Sequence, residues 1–85
     1  MAMRELTNPL DAHHELKCTK ALNSQMPTTL TKIVEEVLQI GQILKVVVRY
    51  PHCGEFVLAW MQEHGHKCIG RFSEYEHFEL YFEIK

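Results

Sequence analysis

The chain has 85 residues, which is enough for one small domain with a single core. Hydrophobic residues make up 46% of it, a normal fraction for a globular protein, and this argues against disorder. The formal net charge of −2 provides no basic field to attract nucleic acid or an anionic membrane. No apolar run approaches the roughly 20 residues that span a bilayer, and residues 1–5 lack the apolar stretch of a signal peptide. Three cysteines without the spacing of a disulfide framework favour a reducing compartment, so we expect a cytoplasmic protein.

Residues 1–14 are predicted to form an N-terminal arm, because they contain the turn signal Asn8-Pro9 and no sustained periodicity. The arm is either flexible or laid against the rest of the chain through Leu6 and Leu10. Residues 15–85 are predicted to form the folded domain.

The strongest periodic signal in the chain is an apolar stripe at i, i+3, i+4, i+7 and i+8, which predicts a first helix over about Thr28–Ile40. Pro27 suits its first turn, Thr28 and Thr29 are alternative caps, and Gly41 is expected to end it. A functional group at Met26 would then sit at the helix N-terminus, where free N–H groups and the helix dipole favour negative charge.

Four strands and a second helix complete the prediction, in the order β-α-β-α-β-β. The expected bounds are strands over Glu15–Leu22, Ile43–Tyr50, Lys67–Phe72 and Phe78–Ile84, and a second helix over Glu55–His64. Alternation in the fourth strand places Phe78, Leu80, Phe82 and Ile84 inside and Glu79, Tyr81 and Glu83 outside. Strands with one polar face need cover on one side only, so the order predicts a two-layer α/β (α+β) sandwich, with two helices on one face of a four-stranded mixed sheet.

Short motifs lie at the ends of these predicted elements. Ala21-Leu22-Asn23-Ser24-Gln25-Met26-Pro27 leads into the first helix, Pro51 follows the second strand, and Gly65-His66 follows the second helix. In order and spacing the chain resembles, over roughly Thr19–Ile84, the TusA/SirA-like small sulfur carriers, whose Cys-Pro-x-Pro motif opens the first helix. The resemblance implies the sandwich fold and a sulfur atom held as a cysteine persulfide and passed to a protein partner.

The chain departs from that motif at its reactive position. The family's persulfide-bearing cysteine falls on Met26 and its second proline on Thr29, while Pro27 keeps the first. A thioether neither ionises nor forms a persulfide. The resemblance together with Met26 therefore predicts a non-catalytic binding or regulatory member of a sulfur-relay system, acting by protein–protein interaction rather than as an enzyme.

An active sulfur carrier, or sulfurtransferase, is the alternative. Cys53 is its candidate persulfide thiol, because it lies beside His52 at the expected start of the second helix, where a thiolate is favoured. Cys18 is the second choice. The competing interpretation is structural, with Cys53 as a loop residue and Cys18 and Cys68 as small buried strand residues.

A metal- or redox-sensing domain is a further hypothesis. The string His64-Gly65-His66-Lys67-Cys68 contains ligand types that zinc and copper prefer, but it supplies too few ligands unless His52, Cys53 or His77 joins it. We therefore assign no metal and no cofactor.

The expected partner is a protein, not a nucleic acid or a membrane. Four glutamates of the last strand and the link before it, Glu74, Glu76, Glu79 and Glu83, predict a solvated acidic hairpin or a docking patch for a basic partner. The oligomeric state stays open, and the fourth strand would be able to pair between copies if it lay at an edge of the sheet.

Overall fold

The computed structural model describes residues 4–21 and 23–85 of the chain. Its elements are β1 (His14–Cys18), α1 (Met26–Lys32), a π-helical continuation (Ile33–Val37), β2 (Ile43–Val48), α2 (Pro51–Glu63), β3 (Lys67–Ser73) and β4 (Phe78–Glu83). The strands form one mixed sheet in the order β1-β2-β4-β3, with β1 parallel to β2 and β4 antiparallel to both of its neighbours. Both helices cover one face, so the predicted two-layer sandwich is confirmed. Strand β1 begins one residue before the predicted start at Glu15 and already ends at Cys18, short of the predicted end at Leu22, a residue that lies outside the described ones.

The helix-covered face of the sheet is apolar because alternate side chains of each strand point to it. Val46 of β2 pairs with Leu80 of β4, and Leu44 pairs with Phe82. These side chains are at most 2% exposed and pack against Leu30 and Ile33 of the first helix and Val57, Trp60 and Met61 of the second. Alternation in the fourth strand had predicted the β4 side chains of this layer correctly.

The first helix starts earlier than predicted. It begins at Met26, with Pro27 in its first turn as expected, so Thr28 and Thr29 lie inside the helix and do not cap it. The Asn23 side chain instead supports the entry, since its Oδ1 accepts the Gln25 N–H at 2.8 Å. The helix also ends earlier, because Leu38 is already extended at φ −104° and ψ 150°.

The second helix also starts earlier than predicted. Pro51-His52-Cys53-Gly54, which precedes the predicted start at Glu55, is its first turn. The Tyr50 carbonyl accepts the N–H groups of Cys53 and Gly54 at 3.0 and 3.2 Å. Gly54 lets the helix approach β2, because a side chain there would come within 2.7 Å of Val48. Gly65 ends the helix as predicted, with a φ of +82° that suits glycine.

The opposite face of the sheet is also covered, by the N-terminal arm, in the second of the two arrangements left open for residues 1–14. Glu79 and Tyr81, expected outside, are 7% and 0% exposed. The N-terminal arm reaches this side of the sheet from the β3 edge, where the Leu6 N–H donates to the Arg71 carbonyl at 2.7 Å. The Leu6 side chain also abuts Gly70, which is paired with Tyr81. The backbone of Leu10 contacts the Tyr81 hydroxyl.

A polar cluster fills the centre of the arm-covered face. The Tyr81 hydroxyl donates to Glu79 Oε1 at 2.5 Å, and Lys45 Nζ lies 3.3 Å from Glu79 Oε2 and 3.5 Å from Glu15 Oε1. Burial by itself would raise the pKa of Glu79, but the bonds from Tyr81 and Lys45 outweigh it and hold that pKa below its usual value. The acidic hairpin surface predicted from sequence is therefore wrong for Glu79, which is an internal partner.

Candidate functional site

One end of the sheet collects most of the residues that the sequence analysis singled out. Because β1 and β2 are parallel, their carboxyl ends meet there, and α1 and α2 both begin just beyond them. Strand β4 runs the other way, so it starts at this end, with Phe78 paired to Val48. We call this the helix-start end; Met26, Cys18 and Cys53 all lie on it.

Met26, which the sequence analysis singled out, is the first residue of α1. Its side chain is half-buried and packs against the core, and its N–H donates to the Asn23 carbonyl at 3.3 Å. A thioether has no proton to lose. The position is therefore well placed in the fold but holds no nucleophile.

The two thiols nearest to it are buried together. Cys18 ends β1, Cys53 lies in the first turn of α2, and each is 1% exposed. Burial, with a further contribution from the adjacent Cys53 thiol, raises the pKa of Cys18. Sequence spacing did not indicate this contact, although Cys18 ends β1 and Cys53 follows β2, two strands that turned out to be neighbours.

His52 does not serve as a base for Cys53. Its side chain is 92% exposed and lies 3.8 Å from Glu55 Oε2, one turn along the same helix. His52 and Cys53 are adjacent in sequence, but their side chains do not meet, because neighbouring residues of a helix point in different directions. Cys53 stays a predicted persulfide thiol whose side chain is enclosed.

A cavity of about 340 Å³ opens at the helix-start end, between the first turns of α2 and strands β3 and β4. Its walls are Pro51, Gly54, Glu55, Leu58, Arg71, Phe78 and Leu80. The Arg71 guanidinium carbon lies 4.1 Å from the centre of the Phe78 ring, a cation–π contact. The cavity is therefore largely apolar, with one cation and one carboxylate in its walls.

The string His64-Gly65-His66-Lys67-Cys68 lies at the opposite end of the sheet, and its side chains make contacts within the fold. The His64 ring stacks on Trp60 with 3.8 Å between ring centres. His66 Nδ1 accepts the Lys85 N–H at 3.1 Å, and burial lowers the pKa of its imidazole. Burial raises the pKa of the Cys68 thiol. Within residues 4–21 and 23–85, no group of three or more His, Cys, Asp or Glu side chains is arranged to hold a metal ion.

No protein-family model, curated protein or solved structure matches this chain. The fold defines it as a small two-layer α/β sandwich. In the part of the chain that the structure describes, no helix is both long and apolar enough to cross a membrane.

Proposed function

We propose that this chain is a non-catalytic, TusA/SirA-like binding domain that recognises a protein partner in a cytoplasmic sulfur-relay pathway without carrying sulfur itself. The observation behind this proposal is that Met26 stands at the opening of α1, where the resemblance implies a carrier cysteine. A partner would meet this residue, the exposed Tyr50 and the Arg71-lined cavity on the same end of the sheet.

The chemistry of persulfide transfer favours a binding role over a carrier role. A carrier thiol attacks as its thiolate, and the sulfur it bears must reach a second protein. Cys18 and Cys53 are enclosed by the core, and the raised pKa of Cys18 keeps that thiol protonated near neutral pH. Loading either residue would require the first turn of α2 to open.

Persulfide loading followed by intact-mass spectrometry tests the proposal. The wild-type chain is incubated with a low-molecular-weight persulfide and analysed without reductant. We expect no added sulfur on the wild type. The Met26→Cys variant should gain one sulfur atom, because it restores a thiol at the start of α1, and Met26→Ser is the matched control that should gain none.

The outcomes separate the hypotheses. Added sulfur on the wild-type chain that disappears in Cys53→Ser, or in Cys18→Ser, would replace our proposal with the active-carrier alternative. If the wild type and Met26→Cys both stay unloaded, the sulfur-relay part of the proposal is wrong. A rise in melting temperature with added zinc or copper would favour the metal-sensing hypothesis instead.

A further inference from the structure

The two edge strands of the sheet, β3 and β1, differ in whether another segment of the chain hydrogen-bonds to their outer backbone groups. At the β3 edge the arm supplies partners, because the Leu6 N–H donates to the Arg71 carbonyl at 2.7 Å and the Arg71 N–H donates to the Arg4 carbonyl at 2.8 Å. At the β1 edge, no described residue outside the sheet hydrogen-bonds the backbone of Glu15 or Lys17. An uncovered edge strand presents a row of free N–H and C=O groups to another strand.

The register of β1 shows which backbone groups are free. Cys18 is paired with Val48, and its carbonyl accepts the Arg49 N–H at 3.0 Å. In a parallel pair, alternate residues bond to the neighbouring strand, so His14, Leu16 and Cys18 face β2. The N–H and C=O groups of Glu15 and Lys17 therefore face the open edge.

We propose that β1 pairs antiparallel with β1 of a second copy of this chain, across a two-fold axis at Leu16. In this register Glu15 lies opposite Lys17 of the second copy, and Lys17 lies opposite its Glu15. These are the residues with free backbone groups, so each opposed pair exchanges both of its N–H···O bonds. The interface is self-complementary, as a two-fold axis requires, and it extends the sheet through both molecules.

Charge and the positions of the free backbone groups favour this register over registers shifted by two residues or by one. A shift of two residues puts Glu15 opposite Glu15, or Lys17 opposite Lys17, and like charges directly opposite each other are destabilising. A shift of one residue puts the free backbone groups out of phase and exchanges the two faces of the sheet. The pairing centred on Leu16 avoids both penalties.

The surrounding side chains fit the same arrangement. Glu15 Oε1 already lies 3.5 Å from Lys45 of its own chain, so Lys17 of the second copy would place a second cation beside this carboxylate. Leu16 points to the helix-covered face and is only half-buried, and its counterpart across the axis would cover it further. Because β1 has five residues and carries charges, the dimer is a reversible one.

Sedimentation velocity at low ionic strength, from micromolar to millimolar protein, tests the pairing. The wild type should dimerise with increasing concentration. Lys17→Glu opposes two glutamates in each cross-strand pair and should raise the dissociation constant at least about tenfold. Lys32→Glu, the same charge change on an exposed residue of α1, should leave it unchanged. The swap Glu15→Lys with Lys17→Glu recreates both pairs and should recover most of the lost affinity.

Amide hydrogen exchange provides the local readout. As the wild-type dimer forms, the amides of Glu15 and Lys17 should gain protection, while in Lys17→Glu they should not. A wild type that stays monomeric at millimolar concentration, or that dimerises without protecting these two amides, overturns the inference. So does a dissociation constant that Lys17→Glu leaves unchanged. Circular dichroism confirms that each variant is folded. None of these results depends on sulfur loading, so this pairing and the proposed function fail separately.

Discussion

The two faces of the sheet are both buried at their centres, but by different means. The helix-covered face buries aliphatic and aromatic side chains such as Leu44 and Phe82, each 0% exposed. The arm-covered face buries Tyr81 and Glu79, with Lys45 partly exposed beside them. One face is stabilised by removing apolar surface from water, and the other by satisfying polar groups that have been removed from it.

The difference shows how a polar alternation pattern can still be buried. Glu79 and Tyr81 lose water when the arm covers them, and an unpaired carboxylate in that position would be costly. Each finds a partner at short range, with Lys45 supplying the opposite charge. A polar stripe along a strand therefore indicates which side chains need partners, and not that the face is exposed to solvent.

The largest loss of stability should follow from truncating a side chain in the core under the helices. Phe82→Ala leaves a cavity in the centre of the core, and we expect it to lower the free energy of unfolding by about 3–5 kcal/mol. Urea denaturation followed by circular dichroism measures the loss. Val47→Ala, a truncation of a half-buried residue on the opposite face, is the control and should cost clearly less. Equal losses would contradict the assignment of the core to one face.

The next effect concerns the charge on the arm-covered face. Glu79→Gln keeps the shape of the side chain but removes a buried charge bonded to Tyr81 and Lys45. We expect a loss of about 1.5–3 kcal/mol near neutral pH, the usual range for hydrogen bonds to a charged group. Lys45 keeps Glu15 as a partner, which limits the loss.

The pH dependence of stability checks the same residue independently. The pKa of Glu79 is lower in the folded chain than its ordinary value of 4.5, so its contribution is present above that value and is lost as pH falls through the lower folded pKa. The difference in stability between wild type and Glu79→Gln should therefore shrink on acidification. A difference that is independent of pH would show that the charge of Glu79 does not stabilise the fold.

Removing the hydroxyl of Tyr81 should cost less than removing the charge. Tyr81→Phe deletes the donor to Glu79 but leaves that carboxylate paired with Lys45, so we expect a loss at the lower end of the range for bonds to a charged group, about 1.5 kcal/mol. The tyrosine ring keeps its packing against the arm. Urea denaturation measures the loss, and a double variant with Glu79→Gln should lose less than the sum of the two single losses, because the two changes share one bond.

Much of the fold was predictable from sequence because its signals are local. Alternation in β4 identified its apolar face, and Pro27 and Gly65 marked helix ends correctly. The start of α2 was wrong because Pro51 and Gly54 read as a break, whereas proline also suits a first helical turn and Gly54 is required by the approach to Val48. The approach of Gly54 to Val48 is a tertiary contact that sequence spacing does not contain.

Met26, Cys18 and Cys53 of the candidate site were singled out from sequence, whereas the cavity residue Arg71 and the contacts between these side chains were not. Met26 was identified because it directly precedes Pro27, and this relation is local in the sequence. The contact of Cys18 with Cys53, and the cover that the arm places over Tyr81, depend on which strands become neighbours and where the arm lies. These contacts are long-range in sequence and leave no periodic signal. The π-helical stretch after Lys32 likewise has no feature in the sequence that we can identify with it.

The smallest expected effect tests how much burial contributes to the strength of an ion pair. Arg49 and Glu76 form an ion pair with the same 3.3 Å separation as Lys45 and Glu79, but their side chains are 52% and 65% exposed. Solvent screens such a pair, so Glu76→Gln should change the free energy of unfolding by less than about 0.5 kcal/mol. The same urea denaturation used for Glu79→Gln measures both. If the two substitutions cost the same, separation alone sets the strength of these pairs, and the cover provided by the arm adds nothing to the polar face.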